Sequence, residues 1–424
     1  MIVMRAYKTE LDLNNVQKTA CAKHTGAARF SYNWGLSRKM EAYRAGEKTP
    51  TAIDLHRELN ALKKTEFAWM YEVSKCAPQE ALRNLDQAFS HFFRRVKEKQ
   101  AGKQVKAGFP KFKSKKNGLG SFRLTGAIHI FEAAIQLPRL GRLRVKERGY
   151  LPVSGVHLLS ATVSERAGRW FIAVQAEVEI PDPDAVRKPV AGVDLGIARL
   201  ATVSDGTQID NPHALQQALR QIKRLQRTVS RRQKGSANRK KAVQLLARAH
   251  YRVANIRKDS LHQATSLLAK TKSAVVLEDL NVSGMLKNHR LAQAIANVGW
   301  HEFRRQLTYK GKWYGCQVFL ADRYYPSTKR CSHCGNVKAE MDLGQRVYGC
   351  EVCQAHIDRD LNAALNLVQW ITASSAGIHA CGEDVRPGLQ ATLAEAGTEP
   401  QSTSCRFEQV SENGENLLRW FQNM

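Results

Sequence analysis

The sequence predicts an α/β fold of several domains. The chain has 424 residues, more than one hydrophobic core usually organises, so we expect two to four folded units. Segments with the 3.6-residue period of amphipathic helices alternate along it with segments of short strands. Four of its nine cysteines form two close pairs between residues 331 and 353, which indicates a metal-bound module inserted among these elements.

The amino-terminal half is predicted to combine helices with a small β-barrel or sandwich. The opening MIVMRAYKTEL resembles a strand, and residues 14–105 have helical periodicity. In that stretch Leu82, Leu85, Phe89 and Phe92 share one face, which we interpret as core. Short strand-like segments follow up to about residue 182, and the proline-rich and charged run PDPDAVRKP then marks a domain boundary.

The carboxyl-terminal half is predicted to be a sheet with packed helices. VAGVDLGIARLATVSDG has the pattern of a hairpin, and SAVVLEDL and CQVFLADRYYP that of buried strands. Residues 212–270 and DRDLNAALNLVQWI read as helices, as does the segment with Trp300 and Phe303. Beyond about residue 375 the chain is poor in large apolar residues, which predicts a largely disordered tail.

The net charge indicates a polyanionic partner. Sixty-six lysines and arginines against 38 acids give a formal charge of +28, far more than solubility requires. Nucleic acid is the first candidate. A membrane surface would also attract such a chain, but no apolar run of about 18 residues and no signal-peptide pattern occurs, so we expect a cytosolic protein with no membrane partner.

One basic run is the strongest candidate for phosphate binding. TVSRRQKGSANRKKA lies between two helical segments and contains almost no acids. A solvated helix face is the alternative interpretation. We favour contacts with nucleic-acid phosphates, since cations here are mixed with Gly, Ser and Asn. The candidate nucleic-acid-binding side chains are Arg231, Arg232, Lys234, Arg239, Lys240 and Lys241.

The cysteine pairs predict a structural zinc site. CSHCG and YGCEVC place Cys331 and Cys334 in one turn and Cys350 and Cys353 in another, a spacing typical of tetrahedral thiolate coordination. His333 and His356 are possible substitutes, but four thiolates already fill the shell. Because such a closed site has no open position for substrate, we expect zinc to stabilise the fold and not to take part in chemistry.

Three carboxylates predict a second metal site. Asp194 and Glu278 each end an apolar strand, and Asp360 opens a helix. Singly, each has a structural explanation, as a turn residue, an exposed strand end or a helix N-terminus. Together they match the way RNase H-like folds hold two magnesium or manganese ions for phosphodiester hydrolysis. Three converging acids therefore predict a nuclease.

Two neighbouring acids compete for these roles. Asp279 adjoins Glu278, and only one of them can face the metals because strand neighbours point to opposite faces. Asp358 precedes Asp360 by two positions and is a candidate N-cap of the helix. The sequence leaves both choices open.

In these motifs the chain resembles the TnpB family, also called OrfB, of insertion-sequence nucleases, and more distantly the type V CRISPR effectors. The matching pieces, in the family's order, are GVDLGI, RRQKGSANRKKA, LEDLNV, YYPSTKRCSHCG, YGCEVC and DRDLNAALN, over roughly residues 190–370. FPKFKSKK, SFRL and the APQEALRNLDQAF helix also resemble the family's amino-terminal half.

The resemblance implies an α/β multidomain fold: an RNase H-like (RuvC) nuclease domain with an inserted zinc ribbon, plus an amino-terminal β-barrel (wedge) that carries a helical recognition insertion. The expected domains are a wedge-like β-barrel at 1–13 and 106–182, a helical recognition domain at 14–105, a RuvC-like domain at 189–325 and 356–372, a zinc ribbon at 326–355 and a disordered tail at 373–424.

The resemblance also implies the activity. It predicts an RNA-guided DNA endonuclease of a transposable element, with catalytic Asp194, Glu278 and Asp360. Its partners would be an omega RNA derived from the transposon end, as guide, and double-stranded target DNA beside a short motif. We expect one chain per RNA, acting at the nucleoid. A nuclease-silent RNA-guided repressor and a transposase acting directly on element ends are the alternatives.

Two further pairs of residues are candidates for contacts with nucleic acid. By loose resemblance, Lys75 and Gln79 lie where the target-adjacent motif would be read. Tyr324 and Tyr325 precede the ribbon and could stack on bases, but we favour packing of both against the nuclease core.

Overall fold

The computed structural model describes residues 1–183, 188–342 and 344–380. The chain divides into two compact units, Met1–Gln369 and Trp370–Met424, and the first contains every element discussed below except the last turns of one helix. The predicted disordered tail lies outside the described residues from position 381 onward. Among the helices described, none combines the length and the apolar character needed to cross a bilayer.

The amino-terminal half contains an antiparallel sheet of seven strands in the order β2-β6-β7-β1-β5-β4-β3. Strand β1 pairs with β7 over ten residues, from Ile2 opposite Glu179 to Leu11 opposite Trp170. The sheet accounts for the strands predicted here, whereas closure into a barrel stays a prediction. The elements are β1 (Ile2–Asp12), α1 (Asn15–Arg44), α2 (Ala52–Leu62), α3 (Cys76–Gln100), β2 (Ser121–Leu124), β3 (His129–Phe131), β4 (Ala134–Leu137), β5 (Gly141–Val145), β6 (Val156–Arg166) and β7 (Arg169–Glu179), with short 3-10 helices at Ala68–Glu72 and Lys115–Asn117.

Helices α1–α3 share one hydrophobic core with this sheet. On α3, the predicted stripe is inward: Leu82, Leu85 and Phe92 are buried, and Phe89 is partly buried against the same core. Helix α1 approaches α3 at Gly35, where a Cβ atom would lie 2.7 Å from Leu82 Cδ2. The helical segment and the sheet therefore stabilise each other.

The carboxyl-terminal half contains a sheet of five strands in the order β10-β9-β8-β11-β12. Strands β8, β11 and β12 are parallel, and β9 and β10 extend the sheet antiparallel, so that β8 and β9 form the predicted hairpin. The elements are β8 (Val190–Asp194), β9 (Arg199–Val203), β10 (Gln208–Asp210), α4 (Ala214–Arg231), α5 (Ala237–Thr271), β11 (Ala274–Glu278), α6 (Val282–Met285), α7 (Ala292–Val298), α8 (Trp300–Tyr314), β12 (Gln317–Ala321), β13 (Val347–Gly349), β14 (His356–Asp358) and α9 (Arg359–Ala380).

Helices cover both faces of the five-stranded sheet. Val193 and Leu277 point to one face and pack with residues of α5, α7 and α8. On the opposite face α9 crosses β8 at Gly192, where a Cβ atom would lie 2.0 Å from the Ala364 carbonyl oxygen and 2.9 Å from Leu367 Cβ. Only glycine permits this approach. It places the first turn of α9 beside the end of β8.

Between β12 and α9 the chain forms the cysteine ribbon, residues 326–355, whose strand β13 pairs with β14. Two buried asparagines of α9 hold it. Asn362 accepts a hydrogen bond from the Ser332 N–H (2.9 Å) and donates to the Arg330 carbonyl (2.7 Å). Asn366 donates to the carbonyls of Ser327 (2.8 Å) and Arg330 (2.6 Å). The ribbon is thus fixed to the helix that carries Asp360.

Candidate active site and zinc site

Two of the predicted catalytic acids lie side by side at the carboxyl edge of the sheet. Strands β8 and β11 are parallel neighbours, and Val193 pairs in register with Leu277. The next residue on each strand is Asp194 and Glu278, respectively. The parallel register therefore brings these two acids to the same level although they are far apart in the chain.

Asp358 and Asp360 have different roles at the start of α9. Asp358 Oδ1 accepts hydrogen bonds from the N–H groups of Asp360 (3.0 Å) and Leu361 (3.1 Å), and its Oδ2 pairs with Arg199 at 3.4 Å. Asp358 thus caps the helix. Asp360 is the acid of the first turn, and its Oδ1 pairs with Arg359 at 3.2 Å. This leaves Asp360 as the better candidate for the third metal ligand.

Glu278 and Asp279 also differ in their surroundings. Asp279 forms ion pairs with two arginines, Arg304 at 3.2 Å and Arg323 at 2.5 Å. Glu278 is half-buried and accepts a hydrogen bond from the Ser327 hydroxyl. The alternation of the strand therefore directs Glu278, and not Asp279, toward Asp194.

Negative charge is concentrated at this edge. Burial is the largest cause that raises the pKa of Asp194 well above its usual value, and the charges of Glu278 and Asp360 raise it further. Burial also raises the pKa of Glu278, against the lowering effect of its Ser327 hydrogen bond. Carboxylates that repel one another in this way are stabilised by a cation, and hard oxygen donors suit magnesium or manganese.

The four predicted zinc ligands form a compact group. Cys331 Sγ lies 3.6 Å from Cys353 Sγ, and Cys334 Sγ lies 3.5 Å from Cys350 Sγ. A tetrahedron with Zn–S bonds of about 2.3 Å has edges of about 3.8 Å, so the cluster fits a zinc ion. Within the described residues, this is the one group of three or more His, Cys, Asp or Glu whose ligand atoms all lie within 4.8 Å of one another.

The local backbone favours the thiolate at one position of this cluster, Cys350. Backbone N–H groups, of Cys353 first and Val352 next, lower the pKa of the Cys350 thiol to about 6. Neither His333 nor His356 belongs to the group. The three carboxylates of the candidate active site do not meet this 4.8 Å criterion, so they are spread more widely than the sulfur atoms.

The predicted phosphate-binding residues lie at the turn between α4 and α5. We call residues 231–241 the basic turn. Its cations are exposed except for half-buried Arg239, and none of them forms an ion pair with an acid among the residues that the structure describes. Arg232 Nη1 donates to the Asn238 carbonyl at 2.6 Å, which stiffens the turn.

The other predicted contact residues are on the surface or near it. Lys75 is exposed at the N-terminus of α3, and Gln79 is half-buried one turn later. The favoured packing of both tyrosines is wrong for one of them. Tyr325 donates to the Asn366 carbonyl at 3.0 Å, whereas Tyr324 is 92% exposed.

Sequence reasoning missed the residues that orient the acids. Ser327 reaches Glu278 from the start of the cysteine ribbon, and Asn362 and Asn366 hold that ribbon on α9. Ser327 gave no signal because a polar residue shortly before a CxxC turn is common. Its contact with Glu278 is visible only in three dimensions. The neighbouring Arg359 gave no signal either, because a basic residue between two aspartates is ordinary.

Comparison with known proteins decides the family. A family described as "Probable transposase" (OrfB_IS605) matches residues 161–289, and one described as "Cas12f1-like, TNB domain" matches residues 300–367. A relative from Streptomyces pristinaespiralis, named as an RNA-guided DNA endonuclease, is 35% identical over 389 residues, which are 91% of this chain and 92% of the relative. The chain belongs to the TnpB (OrfB) family.

A second relative agrees with membership of the TnpB family. This protein of Escherichia coli strain K12, also named as an RNA-guided DNA endonuclease, is 33% identical over 403 residues, 91% of this chain and 96% of its own. The resemblance drawn from the motifs is confirmed. Among solved structures, a complex of Cas12f1 with single-guide RNA and target DNA aligns over 86% of this chain and 98% of that one at 15% identity, with a TM-score of 0.33.

One match describes the amino terminus differently from the structure. A family described as "Helix-turn-helix domain" matches residues 1–48. The structure has strand β1 and the single long helix α1 there. The first 44 residues of this TnpB chain therefore contribute one strand to the sheet and one helix to the helical core.

Proposed function

We propose that this chain is an RNA-guided DNA endonuclease of a transposable element that hydrolyses phosphodiester bonds with Asp194, Glu278 and Asp360. The observation that carries the proposal is the register of β8 and β11, which places Asp194 and Glu278 side by side. The chain is also a family member whose relatives are named as RNA-guided DNA endonucleases. Gly192 lets α9 bring its first turn, with Asp360, to the same edge.

The same residues would hold two magnesium or manganese ions. When bound, such a pair supplies hydroxide from water at neutral pH and offsets charge on the leaving oxygen. The protein's part is to keep three carboxylates in place. Ser327 orients Glu278, Arg359 pairs with Asp360, and Asp358 fixes the start of α9 by capping it. Bound cations would offset the mutual repulsion of the acids and would favour their ionised form.

Recognition of the target is shared between RNA and protein. We infer that an omega RNA from the transposon end selects double-stranded DNA by base pairing and that the protein reads a short adjacent motif, with Lys75 and Gln79 as candidate readers. The basic turn is unpaired with acids among the described residues and suits phosphate contacts. We expect one chain per RNA, acting in the prokaryotic cytosol. Zinc at the four cysteines would be structural.

The test is cleavage of a plasmid library by the full chain co-expressed with its flanking element RNA, with magnesium. Glu278→Gln should slow cutting at least about a thousandfold, as expected when several kcal/mol of transition-state stabilisation are lost. Its matched control is Asp279→Asn, which should stay within about tenfold of wild type, because Asp279 contacts arginines and not the other acids.

Asp360 and Asp358 form the second matched pair. Asp360→Asn should abolish cutting, whereas Asp358→Asn should keep most of it because asparagine also caps helices well. If the reverse holds, Asp358 is the third ligand and the assignment of Asp360 is wrong.

The two alternatives have their own outcomes. A wild-type complex that binds the guided target without cutting it would favour the repressor. Joining of element ends by protein free of RNA would favour the transposase. RNA that co-purifies with the chain and is required for cutting excludes the second.

A further inference from the structure

Tyr324 is an exposed aromatic residue on a segment that is fixed on both sides. Its side chain is 92% exposed, and within the described residues its ring forms no aromatic pair. On one side Arg323 donates to the Asp279 carboxylate at 2.5 Å, and on the other the Tyr325 hydroxyl donates to the Asn366 carbonyl at 3.0 Å. The backbone thus holds the ring in water, where its apolar surface is not stabilised.

This segment begins and ends at the candidate active site. Ala321, three residues before Tyr324, pairs in register with Glu278. Ser327, three residues after it, donates its hydroxyl to the same Glu278. Three residues of extended chain span at most about 11 Å, so the backbone of Tyr324 lies within that distance of Ala321. The backbone of Tyr324 therefore lies near the sheet edge that carries Glu278.

Two arginines beside the carboxylates offer contacts for a phosphate group. Arg323 and Arg304 both lie here, and each leaves about half of its side chain exposed (49% and 48%) while pairing with Asp279. An exposed aromatic ring next to cations is the arrangement by which proteins hold single-stranded nucleic acid, with a base stacked on the ring and phosphates near the cations. The strand that must reach the three carboxylates is the DNA strand to be cut.

We propose that Tyr324 stacks on one unpaired base of the DNA strand being cut and so positions the neighbouring phosphodiester bond against Asp194, Glu278 and Asp360. The inference rests on the proposed nuclease function. Tyr324 is a positioning residue in this scheme, because it touches the substrate away from the bond that breaks. A stack tolerates any base, which suits an enzyme whose target sequence is chosen by RNA pairing.

Two substitutions at this one position separate stacking from mere apolar contact. Tyr324→Phe keeps the aromatic face and removes the hydroxyl, whereas Tyr324→Leu keeps apolar bulk without a π-face. With the protein–RNA complex and a range of target concentrations, Tyr324→Leu should raise the KM for target DNA or slow single-turnover cutting about tenfold, within the range of a lost base stack. Tyr324→Phe should stay within about twofold of wild type. Both should keep the wild-type melting temperature, because the side chain is 92% exposed and so contributes little to the packed core.

A second measurement does not depend on cutting. The Asp194→Ala chain, loaded with guide RNA and target, is scanned with 2-aminopurine placed at successive positions of each DNA strand. Quenched emission at one position, kept with Tyr324→Phe and lost with Tyr324→Leu, is the expected result. Quenching that Tyr324→Leu leaves unchanged, or quenching of a probe in the RNA and not the DNA, would overturn the inference.

The outcomes also separate this inference from the proposed function. If wild-type protein with its RNA cuts the target and Tyr324→Leu cuts it with the same rate and KM, only the role of Tyr324 is wrong. If wild-type protein does not cut at all while Asp194→Ala binds the target as well as wild type does, the nuclease proposal itself fails.

Discussion

At the edge of the five-stranded sheet, acids that are neighbours in the sequence have different contacts and therefore different roles. Glu278 bonds to Ser327 and stands level with Asp194, while Asp279 pairs with two arginines. Asp358 bonds through its oxygens to the helix N-terminus and to Arg199. Asp194 differs in that burial first, and the charges of Glu278 and Asp360 next, raise its pKa well above the usual value, which makes its ionised form unfavourable in the folded protein.

Asp194→Asn should therefore stabilise the magnesium-free protein at neutral and higher pH. The folded pKa of Asp194 lies above its unfolded value of about 3.9, so its contribution to stability is fully present below that value and is lost as pH rises toward the folded pKa. The neutral amide does not titrate. We expect the melting temperature of the variant to exceed that of wild type by a few degrees at pH 8, and the gap to close toward pH 4.

Thermal unfolding at both pH values, in buffer without magnesium and with zinc retained, checks this. Added magnesium should raise the melting temperature of wild type and not that of Asp194→Asn. Equal stability of the two chains at pH 8 would show that Asp194 is not under strain from its neighbours.

Sequence reasoning could find these acids but could not choose among their neighbours. Strand alternation predicts that Glu278 and Asp279 face opposite sides of the sheet. It does not predict which of the two faces the metal site. The choice is made by Arg304 and Arg323, 25 and 44 residues away along the chain. No local pattern contains such contacts. The four cysteines, in contrast, were expected to lie together and do so, because the pairing is visible in their spacing along the chain.

At the scale of elements, the crossing of α9 over β8 decides where Asp360 lies. Gly192→Ala would place a Cβ atom 2.0 Å from the Ala364 carbonyl, so the helix must move. We expect a loss of about 1–3 kcal/mol in the free energy of unfolding, as for other overpacked sites, and a large loss of cutting. Melting curves and cleavage rates measure the two effects.

Gly26 provides the control for this substitution. It lies in α1, and a Cβ atom added there would meet nothing within 4 Å, so Gly26→Ala should leave stability equal or raise it by up to about 1 kcal/mol. Gly192→Ala protein that melts and cuts like Gly26→Ala would contradict the close packing of α9 on β8.

The cysteine ribbon is a second element with a measurable role. Its own core is small, built on Cys331, Tyr348 and Cys350, so we expect its fold to depend on zinc. Cys334→Ser should reduce bound zinc from one ion per chain toward none and should also slow cutting, because the ribbon begins at the segment whose Ser327 orients Glu278.

Metal analysis and cleavage of the same samples test this. Cys76→Ser is the control, since Cys76 bonds to the Thr125 carbonyl and lies outside the cluster. Full cutting by zinc-free Cys334→Ser protein would show that the ribbon is dispensable for catalysis.

Element types were easier to predict than their association. The β8–β9 hairpin and the α3 stripe follow from local periodicity and are present. The single core shared by α1–α3 and the seven-stranded sheet was not foreseen, because periodicity identifies a buried face without identifying what covers it. Tyr324 is the clearest failure, since an aromatic residue beside a strand usually packs.

For the whole molecule, the formal charge of +28 predicts binding that weakens steeply with salt. Arg231→Ala, Lys234→Ala and Lys240→Ala together should reduce the slope of log K against log salt by about 2, at roughly 0.7 per lost phosphate contact with single-stranded RNA. Filter binding of the guide RNA over a range of salt concentrations measures the slope.

Arg38→Ala is the comparison for this triple variant. Arg38 is already paired with Glu58 at 2.8 Å and with Glu41 at 3.0 Å. Loss of Arg38 should change the slope of log K against log salt by much less than the loss of one phosphate contact would. An unchanged slope in the triple variant would place the RNA elsewhere on the surface and leave the basic turn as a solvated face.

The insertion of the cysteine ribbon between β12 and α9 also bears on biosynthesis. Asp194 and Glu278 leave the ribosome well before Asp360, which follows the ribbon directly. A nascent chain thus has two of its three acids in place while α9, the helix that covers β8, is still unmade. Under the proposed function, the third acid is therefore synthesised only after the cysteine ribbon, and a chain cut short within the ribbon lacks both α9 and Asp360.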